Sequence, residues 1–117
     1  MAIKNALASV AVKDLDTAAK WYEQVLGRPG SRPMPEVAEW SFENGGGLQL
    51  YQLPERSGSG SFTLVVSDIE EIATHLGTLN VDNSQRTSSE RVKTLMITDP
   101  DGNHIAFAES HDPTLAH

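Results

Sequence analysis

No cysteine occurs anywhere in the 117 residues. Disulfides, thiolate catalysis and cysteine-ligated metal centres are therefore excluded, and a reducing compartment suits the chain. Aromatic residues make up only 6% of it, so Trp21, Trp40, Phe42 and Tyr51 carry weight as packing or recognition groups. Basic residues are also few, 9 against 16 acidic ones, for a net charge of -7. Nucleic-acid binding needs a basic footprint to neutralise phosphates, so no nucleic-acid partner is expected. The acidic balance is first a soluble surface and only secondarily a match for a cationic ligand. No apolar run approaches membrane-spanning length, and Met1-Ala2-Ile3-Lys4 does not open a signal peptide. The expectation is no membrane partner and a cytoplasmic location.

What is present suffices for one domain over 1–117, since a chain of this length builds one sizeable core rather than two. A short pattern occurs twice, as Val12-Lys13-Asp14-Leu15-Asp16 and Val66-Ser67-Asp68-Ile69-Glu70. Each copy follows an apolar run and opens a segment of helical period. Residues 6–12 read as a buried strand. Leu15, Ala18, Ala19, Tyr22, Val25 and Leu26 then form one stripe of a helix over 14–26, with Asp14 to cap it and Gly27 to end it. Residues 28–33 read as a loop that Pro35 keeps open. Ala38, Trp40 and Phe42 alternate with polar residues as in a half-buried strand, and Asn44-Gly45-Gly46-Gly47 turns into a strand over 48–53.

Pro54 to Gly60 has linker composition and divides the chain into modules of about 1–54 and 60–110. The second module opens with a strand over 62–66. Ser67 and Glu70 have capping-box spacing for a helix over 68–77, which Gly77 is expected to stop. A polar loop through Ser89, a strand over 92–98, the turn Asp99-Pro100-Asp101-Gly102-Asn103 and a strand over 104–108 follow, with room in the long loops for one more short strand per half. Pro100 and Gly102 suit that turn, and its aspartates are expected to cap backbone amides rather than hold calcium. The end of the chain, from His111 to His117, reads as a frayed tail. The repeat of about 54 residues is a duplicated supersecondary unit, not a solenoid.

These residues resemble the vicinal oxygen chelate superfamily: glyoxalase I, extradiol dioxygenases, fosfomycin-resistance enzymes and bleomycin-resistance proteins. The opening V-x-V-x-D-L-D-x-A-x-x-W-Y-x-x-V-L-G, the second Val66-Ser67-Asp68-Ile69-Glu70 and the closing D-P-D-G-N carry the likeness across nearly the whole chain. The resemblance implies an α+β fold of two βαβββ modules that form a curved mixed sheet around a cavity, as a rule within a homodimer. It also implies where metal-dependent members place their ligands. Counted on this chain, those positions are Leu7, Gln49, Ser61 and Ala106, and none is a histidine or a carboxylate. Leu7 and Ala106 offer a divalent ion nothing, so no metal and no other cofactor is expected.

Because side chains two apart share a strand face, the cavity-facing candidates are Leu7, Ser9, Gln49, Tyr51, Ser61, Thr63, His104 and Ala106, with Trp40 as an aromatic platform. The alternate set (Val10, Val12, Leu48, Leu50, Phe62, Leu64, Val66, Ile105, Phe107) is apolar and suits packing under the helices. For His104 a local hydrogen bond competes with a ligand contact, and for Trp40 core packing competes with a platform role. His75 is expected to face solvent. The favoured function is metal-free binding or sequestration of a small organic molecule, with a cationic one suiting the charge, and catalysis is not favoured. Two alternatives stand beside it. One is a lyase- or dioxygenase-like enzyme using a non-standard site with His104 and Gln49, or no metal at all. The other is a structural homodimer with a vestigial cavity.

Overall fold

The computed structural model describes residues 2–110. Strand β1 (Leu7–Val12) leads to helix α1 (Leu15–Leu26), then to strands β2 (Ser31–Met34), β3 (Val37–Ser41) and β4 (Gly47–Gln52). After a 3-10 turn at Pro54–Arg56, the same order repeats as β5 (Ser61–Val65), α2 (Ile69–Thr78), β6 (Gln85–Ser88), β7 (Val92–Thr98) and β8 (His104–Ser110). Two βαβββ modules are present. Each makes a mixed four-stranded sheet, in the orders β1-β4-β3-β2 and β5-β8-β7-β6. The first and last strand of each module pair parallel, and the remaining neighbours pair antiparallel.

The described chain forms two compact units. One holds the residues up to Gly60 together with Pro100–Asn103; the other holds Ser61–Asp99 and the chain from His104. In the first unit, α1 buries Leu15, Ala18, Tyr22 and Val25. They pack over Val10, Val12, Ala38, Trp40, Leu48 and Leu50, all nearly inaccessible. Each large side chain so buried contributes about 1.5–3 kcal/mol. Tyr22 and Trp40 tie helix to sheet, with ring centroids 6.2 Å apart. In the second unit, Ile69 and Leu76 of α2 are buried, as are Phe62, Leu95, Ile97, Ile105 and Phe107 of its sheet.

Both helices begin in the same way. Asp14 accepts from the Thr17 amide at 3.3 Å, and Asp68 accepts from the amides of Glu70 and Glu71. The first free amide of each helix is met from the far end of its module: Leu15 N donates to Gln52 Oε1 at 2.9 Å and Ile69 N to Glu109 Oε1 at 2.7 Å. Gly27 ends α1 at φ 80°, a left-handed value that glycine adopts without a Cβ penalty.

Several details differ from the sequence reading. The N-cap of α2 is Asp68, not Ser67, because Asp68 holds the position that Asp14 holds in the first module. Gly77 does not stop that helix, which runs to Thr78 and is followed by Asn80 at φ 57°. Both long loops contain a short outer strand, β2 and β6. Pro33 is tolerated in β2 because an edge strand has one side without ladder bonds, and the pairing there is irregular. The residues of the linker are ordered at Pro54–Arg56, where Arg56 N and Ser57 N bond back to Leu53 O and Pro54 O. His75 is half-buried rather than solvent-facing. The expected tail, including His111 and His117, lies outside the described residues.

Candidate functional site

Strand register decides which side chains share a face. In the first sheet Ser9 pairs with Gln49, Ala11 with Tyr51, and Leu7 with Gly47, while Glu39 pairs with Gln49 and Val37 with Tyr51. Leu7, Ser9, Gln49 and Tyr51 therefore lie together on the face opposite α1. In the second sheet Ser61 pairs with His104 and Thr63 with Ala106, so these four also share the face turned away from their helix. Met96, Thr94 and Thr98 of β7 complete it, opposite Ala106, Ala108 and His104.

Trp40 does not join them. It pairs with Leu48, so it points to the helix side, where it is 2% exposed. Its indole nitrogen donates to Arg28 O at 2.9 Å. It is a core residue and not an aromatic platform on the helix-free face. Gly30 lies so close to its ring that a Cβ there would sit 2.8 Å from Trp40 Cε2. Phe42 falls just after β3, with the Arg28 guanidinium 5.6 Å above its ring centroid.

The helix-free face of the first sheet is a polar band with apolar flanks. Ser9 Oγ donates to Gln49 Oε1 at 3.2 Å, which leaves the Gln49 amide nitrogen without a bond among the described residues. Glu39, next to Gln49, was not singled out by sequence reasoning. Its alternation with Trp40 was visible, but the cross-strand partner was not. Leu7 is 44% exposed at one end, and Tyr51 is half-buried at the other. In the second sheet the corresponding face exposes Val65 and Met96, and His104 is exposed, its imidazole making no hydrogen bond among the described residues. The local hydrogen bond expected for His104 is therefore not made.

The closing turn acts on the first unit. Asn103 is fully buried; its Oδ1 accepts from Gly60 N at 2.8 Å and its Nδ2 donates to Ala11 O at 3.1 Å. Asp101 Oδ2 accepts from Lys13 N at 3.0 Å. The Asp101 carboxylate thus does cap a backbone amide, but a distant one. Gly58 is at φ 89° against Asp101 O, where a Cβ would collide.

Metal chemistry does not fit this donor set. At the four positions inferred from the family, Leu7 and Ala106 carry no donor atom, and the Gln49 carbonyl is already engaged by Ser9. Among the described residues no three His, Asp or Glu side chains gather closely enough to hold an ion. A groove of about 390 Å³ lies on the helix side of the first unit, lined by Asp16, Lys20, Glu23, Arg32 and Trp40 among others. Arg32 and Asp16 pair across it at 3.0 Å, and the closely packed Trp40 closes its floor. Its charged walls partly satisfy one another, whereas the helix-free face leaves its polar groups available.

Among the described residues no helix is long and apolar enough to cross a membrane. The glyoxalase/bleomycin resistance protein/dioxygenase family model matches residues 5–107. A glyoxalase/bleomycin resistance protein from Catenulispora acidiphila is 32% identical, covering 90% of this chain and 96% of that one, with a TM-score of 0.80. TnmS3, an antibiotic binding protein from a Streptomyces species, superposes at TM-score 0.77 with 23% identity, covering 94% of this chain and 98% of its own. A lactoylglutathione lyase from Agrobacterium tumefaciens superposes at 0.75 with 19% identity, over 91% and 92% of the two chains. At those identities the last two show a shared fold. No curated protein matches the sequence significantly. Repeat, module topology, family model and the Catenulispora relative agree: the chain belongs to the glyoxalase/bleomycin resistance protein/dioxygenase superfamily.

Proposed function

We propose that this chain binds a small organic molecule on the helix-free faces of its sheets, without a resident metal ion. The observation that carries this reading is the make-up of the first sheet's face. Ser9, Gln49 and Tyr51 supply hydrogen-bonding groups and an aromatic wall on one face, and the two positions of this sheet at which the family resemblance implies metal ligands hold Leu7 and Gln49, neither a histidine nor a carboxylate. Such a mixture orients an organic ligand and cannot dehydrate a divalent cation. TnmS3, of the same fold, is an antibiotic binding protein, and a sequestering role here is consistent with that.

The test is a thermal-shift screen of organic compounds run with and without EDTA. A true ligand raises the melting temperature by mass action, and the shift should be the same in chelator. Stoichiometric divalent metal in protein purified without a histidine tag, or a melting temperature that drops in EDTA, would sink the metal-free reading.

We further propose a homodimer and a cytoplasmic location. Leu7, Val65 and Met96 are exposed apolar groups on the two faces, and each sheet has open outer strands, all of which association would cover. Light scattering at micromolar concentration should exceed the 12.7 kDa of one chain. Cell fractionation checks the compartment.

A further inference from the structure

Four carboxylates among the described residues are withdrawn from full exposure: Glu39, Asp99, Asp101 and Glu109. Three of them are engaged. Asp101 accepts from Lys13 N, Glu109 accepts from Ile69 N, and Asp99 also has a partner. Glu39 is the exception, for its carboxylate makes no hydrogen bond or ion pair among the described residues, and only its backbone carbonyl is used, by Ser31 Oγ at 3.3 Å. An ionised carboxylate offers two oxygens with about four acceptor sites. Nothing within the unit fills them.

The neighbours of Glu39 indicate what would. It is the register partner of Gln49, whose amide nitrogen is an unused donor, and Tyr51 stands on the same face one pleat along β4. No lysine or arginine occupies a strand position on that face. The nearest basic residue of the adjoining strand, Arg32, is paired with Asp16 on the helix side. A single anionic group beside an aromatic ring and an amide donor is complementary to a compact organic cation. The carboxylate takes its N–H groups, the Tyr51 ring takes its charge or its apolar body, and Gln49 takes an acceptor.

We propose that Glu39 is the anionic anchor of this face and that its ligand is a small aromatic or alkyl amine, bound as the ammonium. This rests on the reading that the face binds an organic ligand, and adds to it the charge class and the residue that selects it. A charge-assisted hydrogen bond exceeds a neutral one by enough to make Glu39 worth about tenfold or more in affinity.

The test uses isosteric probes that differ in charge alone: tryptamine and phenethylamine against tryptophol and 2-phenylethanol. They are titrated into the full chain by ¹H–¹⁵N NMR at pH 7, together with Glu39→Gln and, as a control of equal charge change on α1, Glu23→Gln. The amines are expected to shift amides of 37–39 and 49–51 saturably and to bind at least tenfold tighter than the alcohols. Glu39→Gln should remove that preference and Glu23→Gln should keep it, with melting temperatures of both variants near the parent's. Amines and alcohols shifting the face equally, with Glu39→Gln indifferent, would overturn the Glu39 assignment and leave the ligand reading standing. No shift on the face from any probe at millimolar concentration would overturn both. Shifts there on simple dilution of the protein would assign the face to a second copy and likewise overturn the proposal.

Discussion

Asn103 lends itself to a quantitative perturbation. Its amide meets two backbone groups at once, Gly60 N and Ala11 O, from a fully buried position. Ala11 lies on β1, an outer strand of its sheet, so no further strand stands ready to meet its carbonyl. In Asn103→Ala both groups lose this partner. A buried carbonyl left unsatisfied costs about 1–3 kcal/mol, and the half-buried Gly60 amide adds about 1 kcal/mol, for about 2–4 kcal/mol in all. For a domain of this size each kcal/mol is worth roughly 4 °C, so the melting temperature should fall by about 8–16 °C. Asn103→Asp keeps the acceptor for Gly60 but turns the donor facing Ala11 O into another acceptor, and should cost at least as much. His104→Ala, one residue along and exposed, should stay within about 0.5 kcal/mol of the parent. Urea titration followed by tryptophan fluorescence is the assay, because Trp21 and Trp40 both report on the unit that Asn103 fastens. Asn103→Ala within 0.5 kcal/mol of the parent, or Asn103→Asp as stable as Asn103, would refute the assignment of the closing turn as a clasp.

Gln52→Ala and Glu109→Ala each strand the first amide of a helix, so urea midpoints should show a loss of about 0.5–2 kcal/mol for either one. Gly30→Ala places a methyl 2.8 Å from the Trp40 ring, and overpacking of that kind should cost about 1–3 kcal/mol and shift the Trp40 emission. The hydroxyl and amide of Thr17 hold the Asp14 carboxyl below its ordinary value of 3.8. Its contribution to stability is therefore fully present above that value and is lost as pH falls through the lower folded-state value. Thr17→Val should move the Asp14 titration, read by carbon NMR, back towards 3.8, with the Asp82 titration as an unchanged reference.

Local chemistry made much of this protein legible beforehand. The two D-L-D-like helix starts, the stripe of Leu15, Ala18, Tyr22 and Val25, and the alternation of large apolar Leu48, Leu50, Ile105 and Phe107 with smaller or polar neighbours all follow from periods of 3.6 and 2. Those periods depend only on neighbours in the chain. The same alternation placed Leu7, Ser9, Gln49 and Tyr51 on one face, and Ser61, Thr63, His104 and Ala106 on another.

What was missed involves partners far apart in the chain. Alternation shows that Trp40 and Glu39 point opposite ways but not which way each points; that was decided by Trp40 pairing with Leu48 and Glu39 with Gln49. Ser31-Arg32-Pro33-Met34 has no strand propensity worth naming, and became a strand because β3 presented an unpaired edge. Gln52 and Glu109 reach amides 37 and 40 residues away, and Asn103 reaches Ala11 across 92. The sequence alone determined both helices, the inner strands and which of their side chains share a face, because the alternation of side chains along a strand or helix is fixed by the backbone they stand on. Only the tertiary structure decided which polar groups find partners and which, like Glu39, are left without one, because a hydrogen bond needs an atom within about 3 Å and only folding brings distant residues that close.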